Sequence, residues 1–378
     1  MMALVFIGSL ALLAFSYAGY PLAMRWLARW RPRPPDLAGA SASARPAVTF
    51  LIVARNEESR IADRLRNLAS CRHNGPRQYI VVCDGCQDGT EQAAHTAIQQ
   101  PVDVVAQPAL GKAAALNAGI ARATGEIVIF GDARQHFAPD AVEELLRPFG
   151  DPSVVAVSGS LDIAPSAEGV GRGLDSYWRL EKRLRLDESR TGSCVGCTGA
   201  IYAIRRQAHQ AIPPDTILDD VLIPMHAAAH GGRVIFAPKA TAWDPQPLGS
   251  TKEAGRKERT LAGNFQLLFR HPAWLLPWGH PLWCRLICHK YLRLTGPLLL
   301  AVAFLSNLWL ARHSLPWRVV LLTQILGYVS LLIASIVPAL RRLKPFALGH
   351  SFLFLQFRIL RALATYLLRT TSLEKGWK

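Results

Sequence analysis

The stretch Val48-Thr-Phe-Leu-Ile-Val-Ala-Arg-Asn-Glu57 decides the fold of this 378-residue chain. It opens with a short apolar, β-branched run, which is typical of a strand buried on both faces of a parallel sheet. Three similar runs follow, at Gln78–Cys83, Val102–Ala106 and Glu126–Phe130, with helical spacing between them, as over Lys112–Ala123. This alternation predicts an α/β domain with an open, mostly parallel sheet of the Rossmann type.

In sheets of this type, ligands bind off the carboxyl ends of the strands. The residues at those ends are Ala54-Arg-Asn-Glu57, Asp84-Gly-Cys-Gln-Asp-Gly-Thr90 and Gly131-Asp-Ala-Arg134. Their acidic and turn-forming side chains predict a binding site along this edge. Taken singly, the first set also fits a helix N-cap with Asn56 as the cap, and the second fits an ordinary Asp-Gly turn.

Long apolar stretches lie at both ends of the chain. Met1–Met24 carries no charge and is long enough for one span. Basic residues follow this stretch instead of preceding it, which favours an uncleaved anchor with a cytoplasmic middle domain over a signal peptide. Tyr291–Leu310 and Trp317–Leu340 also have the length of spans. Phe346–Leu368 is interrupted by arginines and fits either a span that faces protein or an amphipathic surface helix.

The position of the basic residues suggests that they lie next to a membrane. The net charge is +16 and half of the residues are hydrophobic, with many arginines directly beside the apolar stretches. No aromatic-basic pattern of an RNA-binding module is present, so we expect membrane lipids and not nucleic acid as partners. The predicted organisation is an N-terminal transmembrane helix (1–24), a basic Pro-rich linker (25–46), a cytoplasmic catalytic domain (47–270), an interfacial segment rich in Trp and Pro (271–290), C-terminal transmembrane or amphipathic helices (291–368) and a basic tail (369–378).

Three further motifs lie within the predicted catalytic domain. They are Gly111-Lys-Ala-Ala-Ala-Leu-Asn-Ala-Gly119, Thr216-Ile-Leu-Asp-Asp-Val-Leu-Ile-Pro224 and Arg256-Lys-Glu-Arg-Thr260. Each has a purely structural interpretation as a helix start, an N-cap pair of acids or a solvated basic helix face.

Taken together, the motifs resemble family-two glycosyltransferases, the group of the cellulose, chitin, hyaluronan and poly-N-acetylglucosamine synthases. The resemblance extends over Val48–Gln266 and includes the flanking apolar stretches. It implies a GT-A fold that binds a nucleotide-sugar donor. It also includes Gly196–Arg205, which resembles the segment before the acceptor pocket in that family and to which no single role is assigned.

The resemblance implies donor-binding roles for the first motifs. Ala54, Asn56 and Glu57 would contact the nucleoside, and the Glu57 carboxylate can accept hydrogen bonds from ribose hydroxyls. Asp84 takes the position of the acid that recognises uracil, so the expected donor is a UDP-sugar. Lys112 would approach the donor.

The diphosphate and any metal would lie near Asp132. This residue takes the place of the first acid in the family's Asp-x-Asp motif, which implies Mg²⁺ or Mn²⁺ bound at Asp132. Arg134 stands where the second acid is expected, and an arginine can instead contact the diphosphate directly. Arg256 and Arg259 would stabilise the leaving diphosphate.

The resemblance implies that the acid pair Asp219-Asp220 contains the catalytic base. Asp220 would act as the base for an inverting transfer, with Asp219 raising its pKa by like-charge repulsion. The expected protein is a hexosyl- or N-acetylhexosaminyl-transferase of the bacterial inner membrane. It would use a lipid-linked or glycan acceptor in envelope or extracellular polysaccharide synthesis, and basic segments beside the membrane suit an anionic acceptor such as a lipid phosphate.

Two alternatives remain open. A processive polysaccharide synthase is disfavoured because Thr260 replaces the tryptophan of the family's Gln-x-x-Arg-Trp motif. A non-catalytic membrane protein that binds a nucleotide sugar is favoured only by Arg134. The sequence predicts no particular sugar and no oligomeric state.

Overall fold

The structure, a computed structural model, describes residues 1–37, 45–162, 169–244, 250–337, 339–340 and 343–368, with only the backbone for 169–178 and 250–254. Its centre is an eight-stranded sheet of order β3-β2-β1-β4-β7-β6-β8-β5. The strands are β1 Val48–Ala54, β2 Arg77–Asp84, β3 Val102–Gln107, β4 Ile127–Phe130, β5 His136–Phe137, β6 Val154–Asp162, β7 Tyr202–Arg205 and β8 Arg233–Trp243.

The predicted α/β fold is confirmed, and the sheet is mixed. The strands β3, β2, β1 and β4 run parallel, as the apolar runs predict. The strand β7 then pairs antiparallel with both β4 and β6, while β6 and β8 are parallel. The parallel half therefore directs its carboxyl ends to one edge, where the polar motifs follow.

Helices cover both faces of the sheet and continue into the apolar ends of the chain. The helices are α1 Met2–Ala14, α2 Tyr20–Trp30, α3 Glu58–Ser70, α4 Thr90–His95, α5 Lys112–Arg122, α6 Ala141–Leu146, α7 Gly169–Arg190, α8 Asp219–Ala228, α9 Ser250–Arg270, α10 Trp283–Arg285, α11 Leu292–Leu294, α12 Gly296–Ala311, α13 Leu315–Ile336 and α14 Lys344–Leu367.

The strand β1 shows how the buried pattern organises the core. Phe50 and Ile52 pack on one face of the sheet, and Leu51 and Val53 pack on the other. All four side chains are buried because successive side chains of a strand point to opposite faces, and both faces here are covered.

In the part of the chain that the structure describes, two helical stretches are long and apolar enough to cross a membrane. They are Met2–Trp30, which a π-helical turn at Phe15–Gly19 joins into one helix, and Leu315–Ile336. A bent pair, Trp283–Leu294 with Gly296–Ala311, adds a third if it acts as one span. The N-terminal helix continues to Trp30, past the predicted boundary at Met24, so the first residues of the predicted linker are helical. The predicted tail 369–378 and linker residues 38–44 lie outside the described residues.

The arginines of α14 face protein. Arg358 forms an ion pair with Glu258 of α9 at 2.9 Å, and Arg361 approaches the same carboxylate at 3.6 Å. A carboxylate partner removes much of the cost of placing arginines on a largely apolar helix. This contact joins α14 to α9 of the catalytic domain.

Candidate active site

Three predicted residues meet at the carboxyl edge of the sheet. Lys112 begins α5, Asp132 follows β4, and Asp219 begins α8. The Lys112 ammonium lies 3.2 Å from Asp132 Oδ1 and 3.3 Å from Asp219 Oδ2. Segments far apart in the chain therefore supply a carboxylate–ammonium–carboxylate bridge at the predicted position.

Two groups of this bridge, Lys112 and Asp132, carry charges that their neighbours stabilise. Burial alone would lower the pKa of Lys112, but the carboxylates of Asp132 and Asp219 raise it above its ordinary value. Burial alone would raise the pKa of Asp132, but Lys112 and Arg134 lower it below its ordinary value. Near neutral pH, Lys112 is thus an ammonium and Asp132 a carboxylate.

Arg134, in the position of the expected second acid, is paired within the protein. Its guanidinium lies 3.2 Å from Asp244 Oδ2. The buried Gln135 amide, oriented to satisfy its neighbours, accepts from Arg134 Nε at 2.8 Å and donates to Asp132 Oδ2 at 3.3 Å. Asp244 and Gln135 therefore fix Arg134 beside Asp132, and neither was found from the sequence because both lie outside the recognised motifs.

The helix α9 adds two more cations. Burial and then the neighbouring Arg134 charge lower the pKa of Arg256 below its ordinary value. Arg259 lies close enough for its charge to act on both Lys112 and Asp132. We call Lys112, Arg134, Arg256 and Arg259, with Asp132 between them, the donor-side cluster.

The Asp220 carboxylate is held beside this cluster by the loop after α7. Asp220 Oδ2 accepts a hydrogen bond from the Gly199 amide at 3.0 Å, and its carbonyl oxygen accepts one from the Cys197 amide at 2.7 Å. Burial and then Asp219 raise the pKa of Asp220, as the acid pair predicts. The alternative of an N-cap pair is wrong, because α8 is preceded by Leu218 and has no side-chain cap.

The motif Ala54–Glu57 forms a hydrogen bond to the motif that begins at Asp84. Asn56 adopts a left-handed backbone with a φ of 54°, and its Oδ1 accepts from the Gln87 amide at 2.8 Å. Glu57 precedes α3 without a side-chain cap, so the alternative of an Asn56 cap is wrong. The Glu57 carboxylate pairs with Arg60 at 2.9 Å and keeps a quarter of its side chain exposed. Ala54 is buried at the end of β1.

The Asp84 carboxylate is fully buried and is surrounded by hydrogen-bond donors of the protein. It accepts hydrogen bonds from the Leu110 amide at 2.8 Å, the Gly111 amide at 3.0 Å and the Gln107 side chain at 2.8 Å. Gly111 has a φ of +96°, which suits glycine. Asp84 therefore fixes the turn that delivers Lys112, and the structure does not direct its carboxylate toward an open nucleoside site.

A divalent cation at the expected position would be held by Asp132. Among the described residues, no group of three or more His, Cys, Asp or Glu side chains is arranged to hold a metal ion. Asp132 keeps 40% of its side chain exposed and is ionised. Because Mg²⁺ in phosphate-transfer sites is often bound by one or two carboxylates and by substrate phosphates, Asp132 fits as its single protein ligand.

Comparisons with known proteins agree with this geometry. Residues 49–212 match the family described as glycosyl transferase family 2. Poly-beta-1,6-N-acetyl-D-glucosamine synthase of Staphylococcus aureus is 25% identical over 233 residues, which cover 59% of this chain and 56% of the relative. Beta-monoglucosyldiacylglycerol synthase of Synechocystis is 28% identical over 218 residues, or 53% and 44% of the two chains. This chain therefore spans about half the length of the curated relatives that it matches.

A solved structure is similar over almost the whole chain. The mannosyltransferase PcManGT from Pyrobaculum calidifontis, in complex with GDP-Man and Mn²⁺, superposes with a TM-score of 0.71 at 25% identity. The match covers 97% of this chain and 99% of that one. Residues 49–212 of this chain therefore carry a glycosyl transferase family 2 domain, and the structure has the GT-A fold.

Proposed function

We propose that this protein is a membrane-embedded, inverting glycosyltransferase that moves a sugar from a nucleotide diphosphate to a membrane-associated acceptor. The observation that carries the proposal is the bridge from Asp132 through Lys112 to Asp219, with Asp220 next to it. This bridge connects a cationic binding site for a diphosphate with a carboxylate that can accept a proton.

Asp220 is the proposed base. It takes the proton of the acceptor hydroxyl as that oxygen attacks the anomeric carbon. The new C–O bond forms on the face opposite the diphosphate, and the bond from the anomeric carbon to the leaving oxygen breaks with its electron pair. A carboxylate whose pKa is raised by burial and by Asp219 is a stronger proton acceptor than an exposed aspartate.

The donor-side cluster stabilises the leaving diphosphate. Lys112, Arg134, Arg256 and Arg259 place positive charge where negative charge develops, and ion pairs fix Lys112 and Arg134 before the donor arrives. Mg²⁺ or Mn²⁺, when bound at Asp132, would add Lewis-acid neutralisation of the same oxygens.

Two donors are supported by different observations. The expected uracil-recognising position of Asp84 supports a UDP-sugar. GDP-mannose is the second candidate, because the PcManGT structure holds GDP-Man and because the buried Asp84 carboxylate already accepts hydrogen bonds from Leu110, Gly111 and Gln107. A hydrogen-bonded carboxylate of this kind shapes the turn around a base without reading that base.

The acceptor is proposed to be lipid-linked or part of a growing glycan. Basic residues directly after the N-terminal span favour a cytoplasmic catalytic domain, in the bacterial inner membrane, with products for the envelope or for extracellular polysaccharide. Thr260 disfavours a processive synthase, and product length would separate the two modes. A non-catalytic binding role is disfavoured, because the acids and cations of a complete site lie together.

The proposal is tested with detergent-solubilised full-length protein and a panel of UDP-, GDP- and dTDP-sugars. Binding is measured by calorimetry, and nucleotide release is measured with Mg²⁺, Mn²⁺ or EDTA. We expect one nucleotide class to bind and to be released in the presence of a membrane extract that supplies the acceptor. Binding without release, with that extract and either metal, would favour the non-catalytic alternative. Failure of every donor to bind would overturn the proposal.

A further inference from the structure

A second group of cations lies beside Asp220, at the junction with the membrane helices. Arg185 of α7 donates to Thr198 Oγ1 at 2.7 Å, and the next residue, Gly199, donates its amide to Asp220. Lys290 belongs to the π-helical turn Leu286–Tyr291. We call Arg185 and Lys290 the acceptor-side pair.

The two residues of this pair are linked through Glu181, which lies 3.6 Å from Arg185 and bonds to His289, the neighbour of Lys290 in the chain. Their charges also act on Asp220. Burial and Asp219 raise the pKa of Asp220, whereas the charges of Lys112, Lys290 and Arg185 act in the opposite direction. Lys112 already bridges two other carboxylates on the donor side. Arg185 lies on α7 and Lys290 lies on the segment before α12. The acceptor-side pair therefore comes from other elements of the chain than the donor-side cluster.

The carboxylate next to the acceptor-side pair is shared among several groups. Glu181 is shared by three partners, at 3.6 Å from Arg185, 2.7 Å from His289 and 3.0 Å from Arg293. Within the described part of the chain, no carboxylate lies within ion-pair distance of the half-buried Lys290. The carboxylates of Glu181 and Asp220 act on this ammonium only from beyond ion-pair distance. A half-buried ammonium without a carboxylate in contact is costly, and an anionic ligand in contact with it would lower that cost.

The segment that carries Lys290 is rigidly held. His289 is buried between Glu181 and Glu188, at 2.7 and 2.9 Å. Tyr20, from the N-terminal membrane helix, donates its hydroxyl to Glu188 at 2.6 Å. These bonds tie a membrane helix, α7 and the π-helical turn together, so the acceptor-side pair is preorganised instead of mobile.

We propose that Arg185 and Lys290 bind the phosphate of a lipid-linked acceptor and so place its reacting hydroxyl against Asp220. The proposal rests on the proposed glycosyltransferase function and names the acceptor class for that same site. Phosphate matches the chemistry, because an arginine and a lysine form charge-assisted hydrogen bonds to its oxygens. A lipid is the expected source because the pair lies where helices long enough to span the membrane meet the catalytic domain.

The test measures binding of a short-chain polyprenyl phosphate to full-length protein in nanodiscs. The uncharged polyprenol of the same length and glycerol phosphate serve as comparison ligands. In the unaltered protein we expect the lipid phosphate to bind on the order of tenfold more tightly than the polyprenol. Lys290→Gln should abolish this discrimination. Lys344→Gln, the same change at an exposed lysine at the start of α14, should preserve it.

Nucleotide-sugar binding is measured on the same samples to separate the two proposals. Lys290→Gln should leave donor affinity unchanged, because Lys290 is not part of the donor-side cluster. Equal affinity of the unaltered protein for polyprenyl phosphate and polyprenol would overturn the anion site while leaving the glycosyltransferase intact. Equal binding of glycerol phosphate and polyprenyl phosphate would overturn the lipid source. Loss of donor binding by every sample would instead count against the proposed function.

Discussion

The donor-side cluster and the acceptor-side pair are both basic, but they balance their charges differently. On the donor side, Lys112 has two carboxylate partners and Arg134 has Asp244. On the acceptor side, Arg185 shares the single carboxylate of Glu181 with other groups. The first site is held in shape by internal ion pairs before any ligand arrives. At the second site, no carboxylate of the described residues lies within ion-pair distance of Lys290, so its ammonium can contact an anionic ligand.

Removal of the proposed base should have the largest effect, since Asp220 lies between these two sites. Asp220→Asn keeps the size of the side chain but cannot accept the proton. We expect the rate of transfer to fall by roughly 10²–10⁴-fold, the usual contribution of general base catalysis. Nucleotide release under single-turnover conditions measures this loss, with donor affinity as the check on folding.

The control for this variant is Asp63→Asn, which makes the same change at an exposed position of α3. It should behave like the unaltered protein. Full transfer by Asp220→Asn would remove Asp220 from the mechanism and leave the two basic sites without a shared catalytic group.

Replacement of the bridging lysine should be the next largest effect and tests the internally balanced site. Lys112→Met leaves Asp132 and Asp219 facing each other without the ammonium between them, so their repulsion should raise the pKa of Asp132. We expect kcat/KM for the donor to fall roughly 30-fold. This corresponds to a loss of about 2 kcal/mol of transition-state stabilisation, which is typical for a lost hydrogen bond to a charged group.

Lys182→Met is the matched control for the bridging lysine. Lys182 pairs with Asp162 near the surface, where ion pairs contribute little to stability. The free energy of unfolding of this variant should therefore stay within about 0.5 kcal/mol of that of the unaltered protein. Equal losses in the two variants would mean that Lys112 does not act on the donor.

The same contrast explains how much the sequence predicted. The donor edge was predictable because each polar motif directly follows a buried strand, and parallel strands bring their ends together. The sequence also identified the Asp219-Asp220 pair, whose mutual effect on the Asp220 pKa is confirmed. The reversed strand β7 was not predicted, because its short apolar run carries no signal of direction.

The acceptor side escaped prediction for a different reason. Lys290 lies in a segment whose tryptophans and prolines indicate only an interface, and Arg185 lies in a helix with many other charges. Their proximity to Asp220 depends on tertiary contacts such as that of Tyr20 with Glu188. The buried environment of Asp84 was missed too, because a motif shows which residue is present but not which backbone amides surround it.

The pH dependence should show a smaller, directional effect. Asp220 acts as a base only when ionised, and its raised pKa moves the acidic limb of the rate profile to higher pH than an ordinary aspartate would give. Asp219→Asn removes a charge that raises this pKa, so the acidic limb should move to lower pH. The profile of kcat/KM between pH 4 and pH 8, roughly the range around a perturbed carboxyl, measures the shift. An unmoved limb would show that another group controls it.

The contact between α9 and α14 should give the smallest effect, and it tests whether a membrane-side helix supports the donor-side cluster. Glu258 binds Arg358 at 2.9 Å and Thr365 at 3.3 Å, and it lies on α9 between Arg256 and Arg259. Glu258→Gln weakens this attachment without changing a residue of the cluster. We expect donor KM to rise by about fivefold, close to 1 kcal/mol for a partly buried ion pair, with a smaller change in kcat.

A matched control separates positioning from stability in this last case. Glu126→Gln removes a carboxylate that pairs with Arg205 at 3.1 Å, away from α9, and should leave donor KM unchanged. A fall in melting temperature for Glu258→Gln with an unchanged donor KM would show that α14 only stabilises the fold. A raised KM at an unchanged melting temperature would mean that α14 positions the α9 arginines, so that the internally balanced donor site depends on a helix from the membrane side of the molecule.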